Sequence, residues 1–236
     1  MRKGSPVIGF LVKHRSELLM LLLIADIIAS PVADYHPLAG AALAVIIVLG
    51  LLAGASYMAR QRTVRLVVLP IVGIWFVARA LEAFCDAPHW YTHLAPIAGF
   101  TLSVSILWAI FERFNSVPHL ATNAIAEAFI SYLIIAIAFS QLYWILSRFV
   151  VNPFNQVIPE NHSGTLLYFS MITLSSVGYG GIIPVNPYVR LIAALESMAG
   201  IFYIAVVVAR LVSAYRPTPV QADHDSVVSG SSESGR

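Results

Sequence analysis

An apolar run from Leu166 to Ser175 passes directly into Ser176, Val177, Gly178, Tyr179 and Gly180, and the chain then returns through Gly181, Ile182, Ile183 and Pro184. Glycine at 178 and 180 removes the dihedral limits that a Cβ imposes, so successive carbonyls of this short stretch are free to face one way. Carbonyl oxygens gathered in this way offer uncharged oxygen ligands that can stand in for the water shell of a cation. Covalent chemistry has no comparable signal in the chain. No nucleophile is paired with a base, and no nucleotide-binding fingerprint occurs.

Composition shows what must hold such a stretch in place. Of 236 residues, 58% are apolar and 11% charged, where soluble domains carry roughly 25% charge; mean hydropathy is +0.80. A compact soluble chain still shows much of its surface to solvent, so lipid must take up the excess apolar surface. The formal charge of +2, from 14 Lys and Arg against 12 Asp and Glu, is too weak a bias for a nucleic-acid partner. The single cysteine, Cys85, permits neither an internal disulfide nor a thiolate cluster, and the histidines, including His89, His93 and His162, have no metal-ligand spacing.

A helix crosses the hydrocarbon core with roughly 20 residues. The apolar runs predict helices near Leu18–Ser30, Pro37–Met58, Val64–Ala83, Leu94–Phe111, Ala121–Leu146 and Tyr188–Val212. Leu166–Ser175 is about half the necessary length, so it either lies buried or re-enters. Arg60, Arg62 and Arg65, then Arg113, then Arg210 and Arg216 fall at alternate boundaries, on the side of the basic N-terminus. Short basic loops stay cytoplasmic, which predicts six crossings with both termini inside.

The segment Ser176–Gly180 resembles the Thr-Val-Gly-Tyr-Gly filter signature of the tetrameric potassium channel family, with Ser176 in place of the leading Thr. The resemblance covers about residues 121–212. It looks like a six-transmembrane bacterial-type member without the voltage-sensor arginine series, since Leu94–Phe111 holds no Arg or Lys. It implies that oxygens of Ser176, Val177, Gly178 and Tyr179 bind K+, that Gly180 completes the filter, and that the Tyr179 ring packs outward. It also implies a homotetramer, because one chain encodes only one filter strand. Met198, Ala199, Gly200 and Ile201 sit where that family's inner helix carries a hinge glycine, and Gly181 stands where many members have Asp.

The expected fold class is an all-α integral membrane protein of six transmembrane helices plus a re-entrant pore helix and filter loop. Its divisions are a cytoplasmic N-terminus (1–17), a four-helix transmembrane domain (18–116), a pore domain (117–216) and a disordered cytoplasmic tail (217–236) rich in Ser, Gly, Asp and Glu. Ionisable residues within predicted spans need partners or neutral forms. Arg79 and Glu82 share a helical face, Asp26 is placed to meet Arg79 across the bundle, and Glu127 completes this buried charge group. Helical spacing links Glu196 to Gly200, Ile204 and Val208. Glu196 therefore either lines the ion path or sits behind the loop, bonded to the short helix. Ile201, Ile204 and Val208 form an apolar wall suited to gating by loss of water.

These features lead to an expectation of passive, potassium-selective flux across the cell membrane, not conventionally voltage-gated and not enzymatic. Potassium ions are the permeant and filter-bound species, no cofactor is implied, and the partners are other copies of the chain and membrane lipids. No accessory subunit is identifiable. Ser176 and Gly181 leave a weakly selective monovalent cation channel as one alternative, and a nonconducting scaffold with a channel-like fold is another.

Overall fold

A computed structural model describes residues 15–33, 70, 73–74, 77, 94–116, 124–158 and 163–214. These residues form α1 (Arg15–Ala33), α2 (Leu94–Ser116), α3 (Ala124–Phe149), α4 (Ser163–Leu174) and α5 (Pro187–Ala214). Two helical stretches, Ile125–Phe149 in α3 and Pro187–Arg210 in α5, are long and apolar enough to cross a membrane. The apolar parts of α1, α2 and α4 are Leu19–Pro31, Pro96–Trp108 and Gly164–Leu174, each within 10 to 17 residues. At 1.5 Å per residue even the upper limit reaches roughly 26 Å, short of the ~30 Å hydrocarbon core.

The expected fold of six transmembrane helices with a re-entrant pore helix is corrected accordingly. The described residues form five helices, of which two have spanning length and composition. The first predicted span fails because Glu17, Asp26 and Pro31 bound or interrupt its apolar run, and α2 ends in Glu112, Arg113 and Asn115. The predicted spans Pro37–Met58 and Val64–Ala83 lie outside the described residues, apart from Pro70, Gly73, Ile74 and Val77. The expected N-terminal segment up to residue 14 and the tail 217–236 lie outside them as well.

α3 is the hub of the packing. α1, α2, α4 and α5 all rest on it, and α4 also touches α1 and α5. Hydroxyls along the helices bond back to carbonyls one turn earlier: Ser103 to Gly99 at 2.9 Å, Ser131 to Glu127 at 2.7 Å and Ser147 to Trp144 at 2.7 Å. An apolar surround offers no water to satisfy these groups, so the helix backbone serves instead. Leu23 of α1 packs with Ile130, Leu133 and Ile134 of α3. A second core joins Tyr143 and Trp144 of α3, Leu166 and Phe169 of α4, Phe154, Ile182 and Val189. Within it, ring centroids of Tyr143 and Phe169 lie 5.0 Å apart and those of Phe154 and Phe169 5.2 Å apart, both edge-on. This is the favoured aromatic geometry.

α5 begins on a clear local signal. Asn186 precedes Pro187, and its Oδ1 accepts the Tyr188 N–H at 3.0 Å. Asn186 is thus an N-cap and Pro187 occupies the first helical position, where its missing N–H costs nothing. Replacing Asn186 with Ala is expected to cost about 1 kcal/mol, read as a lowered thermal melt of the detergent-solubilised protein. Asn186→Asp should recover most of that loss.

Candidate functional site

α4 contains no charged residue. Its last turn leads into a loop tied to its own carbonyls. Ile172 O accepts the N–H of Val177 at 2.9 Å and of Gly178 at 3.1 Å, while Thr173 O accepts the Ser176 N–H at 3.0 Å. The exposed C-terminal carbonyls of a helix are satisfied in this way when the chain turns back over them. Beyond that wrap the backbone alternates. Ser176, Gly178 and Gly180 have φ of 59°, 55° and 81°, whereas Val177 and Tyr179 between them do not have positive φ.

That alternation has a chemical consequence. In a regular strand successive carbonyls point to opposite sides. Inverting the handedness at every second residue gathers N–H groups on one side and C=O groups on the other. A Cβ built on Gly178 or Gly180 meets nothing within 4 Å, so glycine is needed there for its dihedral freedom and not for space. Ser176 adopts the left-handed region without that freedom, at a cost of roughly 1–2 kcal/mol. Its hydroxyl lies 3.0 Å from the Ser197 hydroxyl of α5, a contact that helps hold it there.

The far side of the loop is clamped separately. Phe154 and Pro184 form an antiparallel bridge, with Asn155 N–H donating to Ile183 O at 2.8 Å and Val185 N–H to Pro153 O at 3.0 Å. Asn155 Oδ1 accepts the Ile183 N–H at 2.9 Å, and Ile182 is buried in the aromatic core. All five predicted residues, Ser176, Val177, Gly178, Tyr179 and Gly180, therefore stand together in one loop held at both ends. In the single chain they are exposed, Val177 at 52% and Tyr179 at 76%.

The predicted α5 stripe divides. Glu196 is 0% exposed and faces α3 and α4: Tyr143 O–H reaches its Oε2 at 2.6 Å, and Ser170 Oγ contacts its Oε1. Of the two placements open to Glu196, the structure has the one behind the loop. Gly200 is buried on the same face, where α5 crosses the end of α4. Ile201, Ile204 and Val208 are exposed. α4 ends at Leu174, so farther along α5 the packing passes to α3, where Tyr203 O–H donates to Ala128 O at 2.6 Å and its ring lies 5.7 Å from that of Tyr132. Asp26 on α1 and Glu127 in the first turn of α3 are partly buried. Arg79 and Glu82, expected with them, lie outside the described residues.

Sequence reasoning missed Ser170 and Ser197, and it missed the tie between Tyr143 and Glu196. Ser170 was the only one with a visible signal, as a hydroxyl amid the apolar residues of a short helix. Its partner lies 26 residues away, and that of Tyr143 lies 53 away.

Residues 127–216 match the model of a family described as ion channel. No curated protein and no solved structure matches the chain. The matched part takes in nearly all of α3, the whole of α4, the loop and α5, which is the arrangement of a module with two spanning helices and one short helix between them. It corrects the assignment to a six-transmembrane tetrameric potassium channel: the match is to an ion-channel domain over part of the chain only. An ion-channel domain is in keeping with a non-enzymatic protein. Among the described residues no group of His, Cys, Asp or Glu is placed to hold a metal. Two apolar helices of spanning length support a membrane location.

Proposed function

We propose that residues 124–214 form a pore module that conducts potassium passively, with four copies of the chain closing around one path in the cell membrane. The observation that carries this reading is the positive φ at Ser176, Gly178 and Gly180, alternating with Val177 and Tyr179, which supports a loop whose carbonyls gather on a common side. Four such loops would surround a cation with oxygen in place of water, and several adjacent sites would keep any one from trapping it. α4 runs toward the loop, so its carbonyl-rich C-terminus favours a cation there. The exposure of Val177, Tyr179, Ile201 and Ile204 fits a loop and helix face completed by other copies and by lipid. Arg210 and Arg216 near the end of α5 support a cytoplasmic side for it.

The test is purified full-length protein in liposomes and planar bilayers, under opposed potassium and sodium gradients. The reversal potential should follow the potassium equilibrium potential, and the native mass should be that of four chains. Ser176 in place of Thr and Gly181 in place of an acid favour weak selectivity as the second reading. A reversal potential that ignores which of the two ions is exchanged would establish it. Absence of flux at every pH and voltage tried would remove both.

A further inference from the structure

The conduction mechanism makes no use of Glu196, although its carboxyl is wholly buried. Three short oxygen–oxygen contacts meet around it: Tyr143 Oη with Oε2 at 2.6 Å, Ser170 Oγ with Oε1, and Ser170 Oγ with the Ala136 carbonyl at 2.7 Å. A hydroxyl has one proton to donate and a carbonyl has none. With Glu196 ionised, only the Tyr143 and Ser170 protons would be available, too few for one in each of the three contacts, and Ser170 would have to split its proton between Glu196 and Ala136. With Glu196 as the neutral acid each contact holds one proton. Tyr143 donates to Oε2, the acid proton on Oε1 goes to Ser170, and Ser170 donates to Ala136.

The surroundings favour the same state. The partners of the carboxyl are hydroxyls and not cations. Ionisable groups on the neighbouring elements, besides the arginines at helix ends, are Glu127, Tyr132 and Tyr143 on α3, Tyr168 on α4 with its ring exposed, and the acids Glu17 and Asp26 on α1, which begins at Arg15. The nearest cations along the chain lie at helix ends. Arg148 is in the last turn of α3, more than a turn beyond Tyr143, and Arg190 is exposed near the start of α5. A carboxylate buried in a spanning segment without a counter-charge is costly.

We infer that Glu196 is held as a neutral carboxylic acid, a proton-bearing strut that ties α5 to α4 and α3 behind the loop, and that its ionisation disconnects this strut and shuts the pore. The route to the loop is short. Ser170 lies on the helix whose Ile172 carbonyl holds the Val177 and Gly178 N–H groups, and Ser197, next to Glu196, contacts Ser176. The flux part rests on the conduction reading above; the protonation part does not.

The experiment uses the full chain in liposomes. Infrared difference spectra between neutral and alkaline pH should show a protonated-carboxyl C=O stretch that disappears on alkalinisation and is absent from Glu196→Gln. In Ser170→Ala the same band should move to higher frequency, since the acid loses its acceptor. Lack of the band in wild type, or its persistence in Glu196→Gln, overturns the proposal. In the flux arm, wild-type potassium efflux should fall by about tenfold at alkaline pH, the scale of one lost buried hydrogen bond. Glu196→Gln should conduct without that fall, because an amide still donates to Ser170 and accepts from Tyr143. An alkaline fall that survives in Glu196→Gln would overturn the gating role. If wild type conducts at no pH, the conduction reading and the shutting role fall together, and the infrared arm still decides the protonation.

Discussion

Gly200→Ala is expected to unseat α5 from α4. A Cβ at this position would overlap the Leu174 carbonyl oxygen and stand 2.9 Å from the carbonyl carbon and 3.2 Å from Leu174 Cδ1. The obstacle is backbone at the end of a helix, which no rotamer change can clear, so α5 must move away bodily. Overpacking of this kind typically costs about 1–3 kcal/mol and sometimes more. The variant should fall at the upper end, because moving α5 also separates Glu196 from Ser170 and Ser197 from Ser176. The check is a thermal melt of the solubilised protein together with its native mass, both of which should drop sharply. A purely hinge-like role would leave the melt unchanged and alter gating alone, so a wild-type melt would refute the close packing described here.

The second large effect is of the opposite kind, with function lost and fold retained. Gly178 has φ of 55° and open space around its Cβ position. Alanine there brings no clash, and the left-handed conformation costs it roughly 1–2 kcal/mol. The loop can escape this cost by returning φ to negative values, which rotates the peptide and turns a carbonyl out of line with its neighbours. Gly178→Ala should therefore melt within about 2 kcal/mol of wild type while losing potassium-selective flux. Gly181 also has open space but no positive φ, so Gly181→Ala should conduct normally. Equal behaviour of the two variants in ion-substituted bilayers would show that the alternating backbone is not what coordinates the ion.

The contrast between Gly178 and Gly200 shows how far sequence reasoning reaches. The sequence marks both positions. For Gly178 the reason was visible locally, since a glycine flanked by Val and Tyr, two residues from a second glycine, already implies unusual dihedrals. For Gly200 the sequence suggested a hinge, whereas the structure adds a close crossing with the carbonyl of Leu174. Glu196 shows the same limit. Helical spacing placed it on a stripe with Ile204 and Val208 but could not say which way that stripe faces, because the answer depends on where α4 ends.

What the amino-acid order by itself determined is whatever depends on contiguous residues. α3 and α5 were predicted as Ala121–Leu146 and Tyr188–Val212 and are found at Ala124–Phe149 and Pro187–Ala214, and the short helix predicted at Leu166–Ser175 is found at Ser163–Leu174. The run of residues that bears the loop was equally plain. Among the described residues hydropathy overcounted the spans, because the apolar runs of α1 and α2, Leu19–Pro31 and Pro96–Trp108, stop short of the length a crossing needs. Only the tertiary structure decided that Tyr143 and Ser170 meet at the Glu196 carboxyl, that Ser176 leans on Ser197, and that residues 153–155 clamp the far end of the loop. Those contacts join residues far apart in the chain, and their existence follows from how helices cross, a quantity that no local pattern encodes.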